Sequence, residues 1–176
     1  MHTNPLPRFK SIDPTHSHAS AHPKAHGNTV AFTIQDKAEG EASTVTVREI
    51  TSRLIKRLVD SATDFTGKKV DSAVIAVPTN FTETQKQALT AAAQDAGLEV
   101  LQLINEPIAA LLAYDGRPDA KVSDKIVVVA DFGGTRSDVT VVASRGGMYT
   151  ILATSHDYEF AGCHLDQVLM DHFAKE

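Results

Sequence analysis

A single cysteine, no tryptophan and an aromatic share of 6% leave this 176-residue chain short of the residues that staple small secreted domains. One thiol, Cys163, closes no internal disulfide and is too few for a structural zinc site, so a disulfide scaffold is excluded and Cys163 reads as a buried, inert thiol. No apolar run approaches the roughly 20 residues that a membrane-crossing helix needs. The N-terminal stretch MHTNPLPRFKSIDP is polar and proline-bearing where a signal peptide would be greasy. The expectation is a cytoplasmic protein with no membrane partner. A basic excess is missing too: 17 Lys and Arg face 22 Asp and Glu, for a net charge of −5 with neutral His. Direct DNA binding, which depends on cations that neutralise phosphates, is therefore not expected. A hydrophobic share of 42% is enough for one ordinary domain or for parts of two.

Residues 1–28 stand apart, with five of the eight histidines and almost no aliphatic side chains. They read as a disordered or loop-like segment. Imidazoles spaced like His16, His18, His22 and His26 can reach one transition metal from a flexible segment, but no Cys or carboxylate completes a rigid shell, and the plain reading is a His-rich polar tail. From Thr29 the pattern changes. TVAFTI (29–34) alternates as a short strand does, and a polar turn around Gly40 follows.

Thr46 and Glu49 have capping-box spacing, which predicts a helix start, and Ile50, Leu54, Leu58 and Ala62 then line one apolar face up to a stop at Gly67. VDSAVIAVP reads as a buried strand ending near Val77. A second capping box, Thr82 to Gln85, opens an alanine-rich helix closed by Gly97, and LEVLQLI (98–104) resumes as a strand. Strand, helix and strand in this compass make one βαβ crossover. A short helix, IAALLAY, starts with Pro107 in its first turn, where a missing N–H costs nothing. Residues 116–124 form a charged surface loop. The unbroken aliphatic run KIVVVADF (125–132) reads as a fully buried strand. SDVTVVASRGGMYTILATS reads as a hairpin turning at Gly146-Gly147, and LDQVLMDHFAKE as an amphipathic helix.

The stretch VVVADFGGTRSDVT (127–140) carries the most chemistry. A strand ends in an acid, Asp131, and a glycine turn leads straight into a second strand that opens with Ser137-Asp138. In such a turn, backbone N–H groups face one point, Asp131 can hold magnesium through its waters, and Gly133-Gly134 leave a phosphate room to approach. A plain strand-turn-strand with a solvated acid has similar letters, and both readings stand at this level.

Four segments, VIAVPTNFTETQKQAL, LEVLQLINEPIAALLAY, VVVADFGGTRSDVTVV and HDYEFAGCHLD, resemble successive signatures of the DnaK-type heat-shock chaperone ATPases, members of the actin and sugar-kinase fold superfamily. The resemblance runs from about Val45 to the last residue. It is closest to the atypical fungal branch that pairs with the J-protein zuotin in the ribosome-associated complex. What it implies is an α/β, actin-like (ribonuclease H-like) ATPase fold in partial form. Residues 29–115 would be the latter part of a first lobe, with its crossover helix, and 125–176 the opening β-hairpin of a second. It also implies ATP or ADP with Mg as cofactor, and a zuotin-type J-domain protein and the ribosome as partners. Asp131, Gly133, Gly134, Thr135, Arg136 and Gly162 would lie at the nucleotide, Asp131 and Glu106 would hold the magnesium through water, and Glu106 and Asp138 would face the catalytic centre. Without the resemblance, Glu106 reads as a helix N-terminal charge.

The departures bear on activity. The family's loop has a third glycine where Thr135 stands, a threonine where Arg136 stands and Phe where Ser137 stands. A guanidinium only donates and is far longer than a threonine side chain, so hydrolysis by the usual arrangement is not expected, while anion binding survives. The bland alternative for Arg136 is an exposed turn residue. Gly-Gly-Glu-Asp-aliphatic-Asp of the family stands here as Ala161-Gly162-Cys163-His164-Leu165-Asp166. The family's first phosphate loop, the lysine after it and the adenosine-binding segments are not among these residues, so the chain reads as an internal piece with exposed apolar faces. Three functions follow as expectations: an ATP-binding co-chaperone with weak or absent hydrolysis, an active ATPase of the same superfamily, or an α/β interaction module that binds no nucleotide.

Overall fold

The structure is a computed structural model, and it describes residues 23–26, 29–34, 43–119 and 123–174. They form eight strands and four helices. In chain order these are β1 (Pro23–His26), β2 (Thr29–Ile34), β3 (Ser43–Thr46), α1 (Val47–Thr66), β4 (Ser72–Val77), α2 (Glu83–Asp95), β5 (Glu99–Asn105), α3 (Glu106–Asp115), β6 (Lys125–Phe132), β7 (Ser137–Arg145), β8 (Met148–Asp157) and α4 (Gly162–Phe173). The chain is thus α/β, with described strands in three sheets ordered β1-β2-β3, β4-β5 and β6-β7-β8. It divides into two compact units, one running to Ser72 and taking in Gln87–Val100, the other made of Ala73–Lys86 and the chain from Leu101 onward.

In the first unit β1, β2 and β3 pair antiparallel, with Ala31 opposite both Lys24 and Thr46. β1 lies inside the segment that composition assigned to a loop. A four-residue strand rich in histidine and proline is held by the ladder bonds of its neighbour, and local composition carries no trace of that pairing. β3 was hidden for the same reason. His16, His18 and His22 fall outside the described residues.

α1 begins as its sequence dictates. Thr46 accepts from the Glu49 backbone N–H, and Glu49 Oε2 reaches back to the Thr46 N–H at 2.8 Å, closing the capping box. Gly67 ends the helix in the left-handed region at φ 63°, where a side chain would be strained. The apolar face is real but uncovered among the described residues: Leu54 and Leu58 are 60% and 62% exposed, and no residue of α1 is buried. On its surface a two-pronged ion pair joins the helix to the end of α2, Arg48 Nε to Asp95 Oδ2 at 2.5 Å and Arg48 Nη2 to Asp95 Oδ1 at 2.8 Å.

In the second unit the second capping box is also present, with the Thr82 N–H donating to Gln85 Oε1 at 2.8 Å. β6, β7 and β8 form an antiparallel meander, and Gly146 and Gly147 take positive φ (56° and 80°) in the two-residue turn of the β7–β8 hairpin. The register sorts this sheet into two faces. Four rows share one face: Lys125, Ser144 and Tyr149; then Val127, Val142 and Ile151; then Val129, Thr140 and Thr154; then Asp131, Asp138 and His156. Along β7 the first three of these rows are buried (Ser144, Val142, Thr140), and the charged fourth lies at the edge.

The opposite face corrects the expectation of a fully buried β6. Ile126, Val128 and Phe132 are 66%, 61% and 68% exposed, because among the described residues only the face toward α3 is covered. An unbroken aliphatic run shows that both faces are greasy, and it does not show that both are occupied. Val74 of β4, also read as buried, is half-exposed for the same reason.

α3 is pinned by its two terminal residues. At its C-terminal end the nearly buried Asp115 accepts from Lys125 Nζ at 2.8 Å and from the Tyr149 hydroxyl at 2.7 Å, both in the first row. A carboxylate at a helix C-terminus opposes the dipole, and the ammonium offsets it. These two hydrogen bonds, the one from Lys125 first, hold the Asp115 carboxyl below the usual aspartate range. A group whose folded pKa is depressed stabilises the fold above its unfolded pKa, and that contribution is lost as pH falls through the folded value. Asp115→Asn is therefore expected to lower stability at neutral pH, with the deficit against the parent chain shrinking progressively below pH ~4. Urea melts of both chains across that range check it, and a deficit independent of pH would contradict it.

Candidate functional site

The charged fourth row has a problem built into its register. Directly opposite residues on paired strands share a face, and β6 and β7 place Asp131 opposite Asp138, like charge against like. Two residues back from Asp138 the chain supplies the answer. Arg136, the last loop residue before β7, turns its guanidinium inward: Nε meets Asp138 Oδ2 at 2.7 Å, Nη2 meets Glu106 Oε2 at 3.3 Å, and Nη1 donates to Asn80 Oδ1 at 3.3 Å. One planar cation thus joins the start of β7, the first residue of α3 and the loop after β4. On its other oxygen, Asp138 is hydrogen-bonded to His156 Nδ1 across the β7–β8 pair. The Arg136 side chain is 19% exposed, so the bland reading of a solvated turn residue does not describe it.

Glu106, Asp131, Arg136 and Asp138 line a cavity of about 330 Å³, shared with Thr79, Pro107, Ala110, Val129 and Thr140. Val129 and Thr140 sit two residues before Asp131 and two after Asp138, which is how a period-two strand presents alternate residues to one space. Below them Thr154 Oγ1 bonds Thr140 Oγ1 at 3.0 Å and Thr79 Oγ1 at 3.3 Å. Partial burial pushes the Glu106 carboxyl above the usual glutamate range; Arg136 pulls the other way, while Asp131 and Asp138 add to the rise.

Of the residues singled out from sequence, the cavity brings together Glu106, Asp131, Arg136 and Asp138. It does not include Gly133, Gly134, Thr135 or Gly162. Thr135 is exposed on the loop. The three glycines meet at a different junction, where the loop caps a helix. The Gly162 and Cys163 N–H groups donate to Gly133 O at 3.0 Å and Gly134 O at 2.8 Å, and the Gly133 N–H donates to Arg136 O at 2.9 Å. Donors of the α4 first turn that a phosphate would attract are satisfied by the loop itself. The side of this loop is closed by Ser137 Oγ donating to Phe160 O and by Phe132 and Phe160 edge to face, with ring centroids 6.2 Å apart. Cys163 is exposed, not buried as expected, because it occupies the outer first turn of α4; its Sγ lies 3.4 Å from His164 Nδ1.

Magnesium held between Asp131 and Glu106 does not fit the arrangement as it stands. Glu106 is turned to Arg136, and among the described residues no three His, Cys, Asp or Glu side chains gather where a metal could sit. Sequence reasoning missed Asn80 and His156. Asn80 stands within the segment VIAVPTNFTETQKQAL, where nothing local marks its amide as a partner of Arg136. His156 was out of reach for another reason: the turn at Gly146-Gly147 alone would set Ser155 opposite Asp138, and an irregularity between Val141 and Val142 shifts the pairing by one residue to His156.

The Hsp70 protein family profile matches residues 11–176. Among curated relatives, the ribosome-associated complex subunit SSZ1 of Saccharomyces cerevisiae is 50% identical over 148 residues, covering 84% of this chain and 27% of that protein. The heat shock protein 70 homolog C57A7.12 of Schizosaccharomyces pombe is 44% identical over 165 residues, 92% of this chain and 29% of that protein. The chaperone protein DnaK of Nitrosopumilus maritimus is 39% identical over 150 residues, 85% of this chain and 22% of that protein. The chain spans between a fifth and a third of the length of these relatives. No described helix is long and apolar enough to cross a membrane.

The two loop glycines differ in what a side chain would meet. A Cβ on Gly133 would lie 2.9 Å from the Arg136 carbonyl oxygen, backbone that cannot step aside, whereas one on Gly134 would meet nothing within 4 Å. Gly133→Ala is expected to cost about 1–3 kcal/mol, the range for overpacking. Gly134→Ala should stay within about 0.5 kcal/mol of the parent, as surface substitutions do. Denaturant melts of the two variants check the contrast, and equal losses would contradict it.

Proposed function

The chain belongs to the Hsp70 family, and on that premise we propose that it is a nucleotide-binding part of a cytoplasmic chaperone of the ribosome-associated branch, one that holds ATP or ADP with little or no hydrolysis. On this reading residues 29–115 and 125–176 are pieces of two successive lobes of an actin-like ATPase fold. The β6–β7 loop lies at the phosphates, and a zuotin-type J-domain protein and the ribosome are the partners. The subunit of the yeast ribosome-associated complex that is 50% identical supports the branch by its name.

The observation that carries the reading is the position of Arg136. Its guanidinium engages Glu106 and Asp138, the two carboxylates to which the family resemblance assigns catalytic work. Hydrolysis of a phosphate bond needs an attacking water oriented by groups free to accept its protons. Carboxylates occupied by a forked cation are poor acceptors, and a side chain that only donates takes the place of a hydroxyl. On this reading the phosphate approaches Gly134, where an added side chain would meet nothing within 4 Å.

A second reading, an α/β interaction module without nucleotide, draws on the loop and α4 N–H groups being satisfied internally. Melting followed by circular dichroism, with and without millimolar Mg-ADP, separates the two. A ligand that binds only the folded chain adds about 2.7 kcal/mol at a hundred times its Kd, so nucleotide binding is expected to raise the midpoint. Gly134→Ala, with a side chain in the phosphate's path, is expected to reduce the rise without lowering the ligand-free midpoint. No rise in the parent chain would favour the interaction module. Steady-state release of phosphate from Mg-ATP is expected to stay at the buffer rate, and clear turnover would favour the active ATPase.

A further inference from the structure

We propose that the outer edge of β6 is a self-pairing surface: two copies of this chain join edge to edge, antiparallel, about a two-fold axis through Val128, and two three-stranded sheets become one of six. The inference concerns the chain without nucleotide, so it stands or falls separately from the nucleotide reading.

In an antiparallel pair, alternate residues spend their N–H and C=O groups on the neighbouring strand, and the groups of the others point away from it. β6 pairs with β7 on one side, and among the described residues no strand pairs with it on the other. Folded proteins blunt such an edge with a bulge, a proline or a charge in mid-strand. The sheet's other edge, β8, is blunted in this way: its pairing passes over Leu152, between Ile151 and Ala153, and its last residues are His156 and Asp157. β6 has none of these devices. Its eight residues pair with β7 without a break, it holds neither proline nor glycine, and its two charged residues, Lys125 and Asp131, enclose an aliphatic run, Ile126 to Ala130.

The order of those two charges identifies the occupant as a second copy. Where two copies turn the same face the same way, opposite residues share a face, so the positions that meet differ by an even number. With Val128 on the axis, Val127 meets Val129 and Ile126 meets Ala130. At both ends of the pair the ammonium of Lys125 then meets the carboxylate of Asp131 from the other copy. Moving the axis to Val127 or to Val129 loses both ion pairs and sets a valine opposite a charge. Asp131 is exposed, and among the described residues it has no cation of its own, because Arg136 is turned to Asp138 and Glu106. Lys125 Nζ donates to Asp115 and, with three N–H donors, keeps others to spare. The contact is self-complementary and closes on itself, since each copy consumes the other's open edge.

The test uses the 176-residue chain without nucleotide. Sedimentation equilibrium from low micromolar to submillimolar concentration is expected to show the mass rising from 18.9 kDa toward twice that value and no further. Over the same range, amide hydrogen exchange is expected to slow in β6 and to stay unchanged in β8. Val128→Lys sets two ammonium groups against each other on the axis, from a side chain that is exposed in the single copy. It is expected to weaken association by about tenfold or more, with an unchanged thermal midpoint at low micromolar concentration. Asp131→Lys turns both end pairs into like-charge contacts and is expected to weaken association as well. A parent chain that stays single throughout overturns the proposal, as does growth beyond two copies, the mark of a contact that does not close. Slowed exchange in β8 or α4 in place of β6 overturns it too. So does either variant if it folds and associates as the parent does; should Val128→Lys lose its cooperative melt, Asp131→Lys decides.

Discussion

Asp131 and Asp138 face each other across paired strands, and the arrangement of the second unit follows from how that repulsion is met. The register that opposes them is set close by, at the four-residue loop 133–136 that joins β6 to β7 with Phe132 opposite Ser137, and along the sheet by the buried Val142 and Thr140 of β7. A slip of one residue would relieve the carboxylates but would move every buried side chain to the other face. The sheet keeps its register, and Arg136 absorbs the charge. Because the guanidinium also takes Glu106, the same contact anchors the start of α3 on the sheet.

The other end of α3 is anchored by the same logic with the signs exchanged. Asp115 brings the negative charge and Lys125 and Tyr149 meet it from the first row of the sheet. A ten-residue helix is thereby held by its own first and last side chains, with the row of Val127, Val142 and Ile151 and that of Val129, Thr140 and Thr154 between the two polar clamps. The cavity at the Arg136 end owes its shape to this: α3 supplies Pro107 and Ala110, and the sheet supplies Val129 and Thr140. The charged groups in it are structural members of the fold, which is why a change at Arg136 bears on stability as well as on chemistry.

Family membership and geometry complement each other. Relatives about three to four times as long share this segment, and two greasy surfaces here, the apolar face of α1 and the outer face of β6, carry little described cover. Composition correctly called these surfaces hydrophobic. Whether an apolar residue is buried depends on what lies opposite, and that belongs to a neighbour in space, not to the residue. The same distinction separates the two strands the sequence reading missed, β1 and β3, from those it found: long aliphatic strands announce themselves, whereas four-residue strands exist through their partner's hydrogen bonds.

The amino-acid sequence alone determined the local events. The capping boxes at Thr46 and Thr82, the helix stop at Gly67 and the turn at Gly146-Gly147 all rest on bonds and dihedrals within a few residues of one another, and short-range patterns record those faithfully. It also identified Glu106, Asp131, Arg136 and Asp138 as the residues to watch. What Arg136 does was decided only by tertiary structure. Its partners lie two, 30 and 56 residues away along the chain, on elements that meet only when α3 docks on the sheet. A one-dimensional pattern specifies that a guanidinium is long and positive, but the acceptors that hold it are set by the register of β6 on β7 and by the helix laid across them.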